Sequence, residues 1–136
     1  MKAVRHKIGP RMSQAVRAGD MVYFAGQIPD DRTADIMGQT AETLGKIDAL
    51  LTEMGGTKSD LVSVQIWLSD MTDFAGMNIV WESWVDSENP PARATAGVAL
   101  ASPGVRVEII AIAHIQAGAE TAGTHGPTMS ASSDTR

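Results

Sequence analysis

Apolar residues alternate with polar ones over several short stretches and recur every three or four positions over two longer ones. Ala3 to Ile8 reads as a first strand that Gly9-Pro10 breaks. Ser13 to Ala18 and Met21 to Ala25 flank Gly19-Asp20 as strands flank a tight turn. Gly26 to Arg32 is a loop. Ile36, Thr40, Leu44, Ile47, Leu51 and Met54 then share one helical face, with Gln39, Glu42, Lys46 and Glu53 largely on the other side. Gly55-Gly56 supplies the stop, because glycine accepts the left-handed conformation that ends helices. Gly45, inside that helix, costs about 1 kcal/mol relative to alanine, and close packing against a sheet would account for it.

Leu61 to Leu68 is the clearest strand. Its alternation puts Val62, Val64, Ile66 and Leu68 toward a core, and Leu61, Ser63, Gln65 and Trp67 on a mixed face suited to a subunit interface. Thr72-Asp73 caps a second helix whose stripe is Phe74, Met77, Val80, Trp81 and Trp84, and Asn89-Pro90-Pro91 ends it. Ala92 to Val98 is a strand, and Val105 to Ile115 is the last. There Val107, Ile109, Ala111 and Ala113 oppose Arg106, Glu108, Ile110, Ile112 and His114. This order predicts an α+β fold: a mostly antiparallel sheet, with room for one parallel pair, and two helices on one face. The uncovered sheet face predicts an oligomer.

Composition narrows the picture. The chain has 136 residues, 43% of them hydrophobic and 4% aromatic, so one aliphatic-cored domain is expected over residues 1–116. Residues 117–136 hold no Val, Ile, Leu or aromatic side chain and read as a flexible, low-complexity tail. A net charge of −5 argues against a nucleic-acid binder. The absence of cysteine excludes disulfides, thiolate nucleophiles and cysteine-bound metals. No apolar run reaches membrane-spanning length and no signal-peptide core follows Lys2, so a cytoplasmic location is expected.

There is no phosphate-binding glycine loop, dinucleotide fingerprint or nucleophile elbow, and His6, His114 and His125 lack metal-ligand spacing. Arg93 and Glu108 stand out. Arg93 opens a strand, and Glu108 lies among aliphatic residues on what reads as the neighbouring strand of a hairpin. An acid in that setting needs a partner or a purpose. One reading is a structural ion pair between them. The other is an arginine that grips a substrate carboxylate in two-point fashion, beside a glutamate that positions or deprotonates water.

Met12-Ser13-Gln14-Ala15, Val22 through Pro29, Asp70 through Phe74 with Met77-Asn78, Pro90 through Thr95 and Val107 through Ala113 follow one another at spacings that resemble the reactive-intermediate deaminase family, RidA or YjgF. The resemblance runs from about Gly9 to Ile115. It implies a chorismate-mutase-like fold and a homotrimer built round a central barrel, with sites in the clefts between subunits. It also implies hydrolysis of enamines and imines such as 2-aminoacrylate to 2-oxoacids and ammonia, with no metal or cofactor. By position, Arg93 matches the arginine that binds the substrate carboxylate and Glu108 the glutamate that orients water. Asn78 and Gly26 match cleft-lining positions. Met12, Ala25 and Thr95 stand where the family commonly has tyrosine, serine and cysteine, and Ile110 and Gly97 replace acids, so the polar shell is thinner. The implied partner is a small carboxylate-bearing substrate, with no nucleic acid and no membrane. A non-catalytic carboxylate-binding or regulatory protein is the alternative, and a ribonuclease or translation inhibitor a further one.

Overall fold

The computed structural model describes residues 2–117. The expected tail, 117–136, lies outside them except for Ala117. The chain forms strands β1 (Val4–Ile8), β2 (Ser13–Ala18) and β3 (Met21–Phe24), then helix α1 (Ile36–Glu53). Strand β4 (Leu61–Leu68), helix α2 (Phe74–Trp84) and strands β5 (Ala92–Gly97) and β6 (Val107–His114) follow. The six strands make one sheet in the order β1-β2-β3-β6-β4-β5. Only β4 and β5 run parallel, joined by α2. Both helices pack on one face, over a core that includes Val22, Leu44, Ile47, Leu51, Ile66, Met77, Val107 and Ile109. This is the α+β architecture that the strand and helix order predicts. Among the described residues no helix is long and apolar enough to cross a membrane.

Local chemistry explains the elements. Gly19 adopts φ +64° in the β2–β3 turn, and Gly55 adopts φ +87° where α1 stops. Asp35 caps α1 by accepting from the Gly38 amide at 2.8 Å. Arg17, buried on β2, donates to the Ile115 and Met54 carbonyls at 2.6 and 2.9 Å and so ties the end of the sheet to the end of α1.

Several expectations are corrected. β5 and β6 are not a hairpin: β4 lies between them. A bulge between Leu61 and Ser63 inserts an extra residue, so Leu61 turns inward (4% exposed) and Val62 outward (42%), reversing the simple alternation. Gln39 is fully buried, not on the polar side of α1. It donates to the Ala34 and Gly104 carbonyls and accepts from the Arg106 amide, so its polar groups are matched inside. Gly45 faces open space, so close packing does not explain it, whereas a Cβ on Gly76 of α2 would stand 2.7 Å from Ile36. The expected Thr72-Asp73 cap is displaced by one turn. Asp70 accepts from Thr72 and starts a 3-10 turn (Met71–Asp73) that leads into α2, while Asp73 makes no side-chain cap bond. Phe74, placed in the apolar stripe by spacing, is 39% exposed at the first residue of α2.

Candidate functional site

The parallel register places Arg93 beside Val64, which lies opposite Ala111 on β6. Val64 and Ala111 are buried under the helices, so Arg93 projects to the helix face. There its Nη1 donates to Asn78 Oδ1 at 2.8 Å, and its Cζ lies 5.4 Å from the centre of the Trp81 ring. Asn78 and Trp81 are one turn apart on α2 and reach the same spot. Arg93 is half-buried and has no carboxylate partner among the described residues. Thr95, two residues along β5 on the same face, holds a buried hydroxyl that has no hydrogen-bond partner among the described residues.

Glu108 lies opposite Trp67, which in turn lies beside Ala96. It belongs to the other set of alternating positions, so its carboxylate leaves from the open face of the sheet. Two strand spacings and three residues of offset separate it from Arg93, roughly 14 Å between Cα atoms. With the side chains on opposite faces, the two cannot pair within one protomer. The structural ion pair considered above is therefore absent. Glu108 packs against Gly26 instead: a Cβ at residue 26 would overlap Glu108 Oε2 and stand 3.0 Å from its Cδ. Glycine leaves room there for the acid in this rotamer. The loop is held by paired Gln27–Ile109 backbone bonds of 2.9 and 3.0 Å, and Gln27 Nε2 donates to Gln14 Oε1 and to the Ala25 carbonyl. Glu108 accepts no hydrogen bond among the described residues, and partial burial raises its carboxyl above the usual value. A carboxylate so placed is a better base than one in water.

Residues 5–115 match the family described as Endoribonuclease L-PSP. A RutC family protein from Haemophilus influenzae is 43% identical over 104 residues, spanning 76% of this chain and 90% of that one. The RutC family protein YoaB of Escherichia coli is 37% identical over 115 residues, covering 85% of this chain and all of its own. A solved YjgF family member from Neisseria meningitidis superposes with a TM-score of 0.82 at 37% identity, covering 85% of this chain and 97% of that one. This chain belongs to the YjgF/RidA family.

The family's expected positions divide into two groups in one subunit. Arg93, Asn78 and Thr95 gather on the helix side; Glu108, Gly26 and Ala25 gather on the open side. Met12 is 52% exposed immediately before β2, with its carbonyl accepting from the Gly9 amide. Trp81 fits the apolar stripe of α2, so periodicity reads it as core and gives no sign that it lies against Arg93. The available signal was its spacing of three from Asn78. A separate cleft of about 480 Å³, lined in part by Arg32, Ser69, Leu100, Ser102 and Arg106, contains none of the expected YjgF/RidA positions. Arg106 there is already engaged with Asp73 at 3.4 Å. Among the described residues there is no group of three or more metal-binding side chains.

Proposed function

We propose that this protein hydrolyses reactive 2-enamines and 2-imines, such as 2-aminoacrylate, to 2-oxoacids and ammonia, without a cofactor, in clefts shared by the subunits of a homotrimer. The observation that carries this reading is Arg93: a half-buried guanidinium held by an amide and an indole, with no acid among the described residues neutralising it. A charge kept in that state is suited to an external carboxylate. The orientation of Glu108 supports the shared cleft. The acid leaves from the face opposite Arg93, so a substrate seated on Arg93 meets Glu108 only if a second copy supplies it.

The chemistry is balanced by one water. An enamine first takes a proton from solvent at carbon to become the iminium, and a 2-imine reaches the same species by taking a proton at nitrogen. Water then forms a C–O bond to the iminium carbon while Glu108 takes one of its protons, and the C=N π pair becomes the lone pair on nitrogen. Glu108 returns that proton to nitrogen, the C–N bond breaks with its electron pair leaving on ammonia, and C=O re-forms as the hydroxyl proton goes to solvent, replacing the one taken at the start. No electrons are gained or lost. An imine carbon is already electrophilic, so holding it beside an oriented water is a sufficient task for two side chains.

The test supplies purified protein with an enamine made in place by a dehydratase. Faster ammonia and 2-oxoacid release, from a species that sediments as a trimer, is expected. No acceleration with several 2-imino acids overturns the proposal. A second reading, carboxylate binding without turnover, draws on the fact that Arg93 is held by Asn78 and Trp81 without any contact from Glu108. Glu108→Gln separates the two readings, because it abolishes turnover but not binding. Relatives also carry the names endoribonuclease and translation initiation inhibitor. A net charge of −5 opposes RNA binding here.

A further inference from the structure

We infer that Trp81 is a positioning residue for Arg93: its ring sets the plane of the guanidinium, so that the donors Asn78 does not use face a substrate carboxylate. The inference deepens the function proposed above and rests on it for the identity of the ligand.

The argument begins with freedom. An arginine on a strand has four rotatable side-chain bonds, and a single hydrogen bond fixes one atom while leaving the plane of the fork free to turn. Asn78 Oδ1 provides that single bond, to Nη1. The Trp81 face, its centre 5.4 Å from Cζ, restricts the remaining rotation. Of the five N–H donors, one is committed to Asn78 among the described residues, and the rest keep a defined direction.

The choice of an indole matters. A carboxylate in its place would hold the guanidinium more strongly, but it would neutralise the charge and compete with the substrate. An aromatic face attracts the cation and takes up none of its donors. Trp81 is itself held firmly. It is 6% exposed and packs on Trp84 with ring centres 5.6 Å apart. Trp84 donates from Nε1 to Asp48 Oδ2 of α1 at 2.8 Å, and Lys58 Nζ lies 5.2 Å over its ring. The stack therefore anchors the strand-borne arginine to both helices.

A purely packing role for Trp81 predicts different behaviour, and a variant set separates the two. Trp81→Phe keeps an aromatic face, Trp81→Leu removes it, and Trp81→Met is a second apolar variant should the leucine one fail to fold. All are compared with Arg93→Ala and with the double variants, at a temperature where circular dichroism shows each folded. The readouts are KM and kcat with dehydratase-generated 2-aminoacrylate, and calorimetric Kd for 2-oxobutanoate. Loss of the ring face is expected to raise KM and Kd about tenfold, the scale of a partly desolvated cation–π contact, with kcat little changed. Trp81→Phe is expected to stay close to wild type, and in the Arg93→Ala background the leucine or methionine change is expected to add nothing. A phenylalanine variant as impaired as the aliphatic ones, or an undiminished effect without Arg93, overturns the inference.

A second readout needs no ligand. The Nε–Hε nuclear magnetic resonance signal of Arg93 carries the ring-current shift of Trp81. That shift is expected to collapse in the aliphatic variants and to persist in Trp81→Phe. If the wild type neither turns over imines nor binds 2-oxobutanoate, the proposed function fails. This signal then decides the positioning role: a collapse confined to the aliphatic variants supports it, and an Arg93 signal indifferent to residue 81 overturns it.

Discussion

Replacing Gly26 by alanine separates the catalytic geometry from the fold. The added Cβ would overlap Glu108 Oε2 and crowd its Cδ at 3.0 Å and its Cγ at 3.3 Å. Ordinary carbon contacts begin near 3.5 Å, so the carboxylate has to retreat by about 1 Å. The obstacle is the free end of a flexible side chain, and Gly26 is not among the glycines with positive φ. The cost to folding is therefore one poorly seated rotamer, of order 1 kcal/mol, against a gain of about 0.4–1 kcal/mol from a stiffer unfolded chain. Stability should change by less than about 1 kcal/mol. Activity should not be spared, because a displacement of about 1 Å in a positioned reacting group costs on the order of 100-fold. Ammonia release measured beside a urea melt checks both halves. Full activity in Gly26→Ala would show that the seat of Glu108 beside this loop has no part in the chemistry, and a collapse of stability would show that the acid is fixed by more than its own rotamer.

Four further outcomes follow from the same structure. Arg93→Lys should lose about 100-fold or more in kcat/KM in steady-state assays while melting normally, because an ammonium cannot make the planar two-point contact. Glu108→Gln should lower kcat by roughly 10²–10⁴-fold while the affinity for 2-oxobutanoate persists. Its stability gain is also pH-dependent. The Glu108 carboxyl is raised in the folded state, so the wild type is relatively favoured below the unfolded value and loses that advantage as pH rises through the folded one. The glutamine variant should therefore be the more stable protein at neutral pH, with the gap closing in acid melts. Asp86 has the opposite sign: bonds from Ser59, Asn89 and the Glu88 amide lower it from 3.8 to about 2. Asp86→Ala should lose stability above pH 4, and denaturant melts down to pH 2 should show the deficit shrinking. Gly45→Ala, with open space around its Cβ, should raise stability by about 0.5–1 kcal/mol in the same assay.

Periodicity locates α1, β4, α2 and β6 because each buries one face, and a one-sided burden leaves a regular trace in sequence. Ala15, Val22, Leu44, Leu51, Ile66 and Val107 all lie in the core. The misreadings of Gln39 and of Leu61 share a cause: they depend on contacts with other segments. Gln39 is polar yet buried, because the Ala34 and Gly104 carbonyls and the Arg106 amide converge on it from two other segments. The bulge at Leu61 is set by pairing with β6, and alternation along one strand carries no mark of it.

The site was legible by residue but not by arrangement. Arg93 and Glu108 stand out chemically, and reading β5 and β6 as a hairpin makes them neighbours. The parallel connection through α2 instead carries β5 past β4 to the sheet edge, and β4 fills the gap. Strand order then decides what parity alone could not. With β4 between them and an odd offset along the strands, the two side chains occupy opposite faces. That separation keeps the acid from neutralising the guanidinium in an isolated subunit, leaving Asn78 and Trp81 to hold a cation that is still available. A hairpin whose register set the two side by side would have closed an ion pair, the arrangement least able to receive an anionic substrate. The order of the strands thus governs whether these two residues extinguish each other or remain free to act on a third molecule.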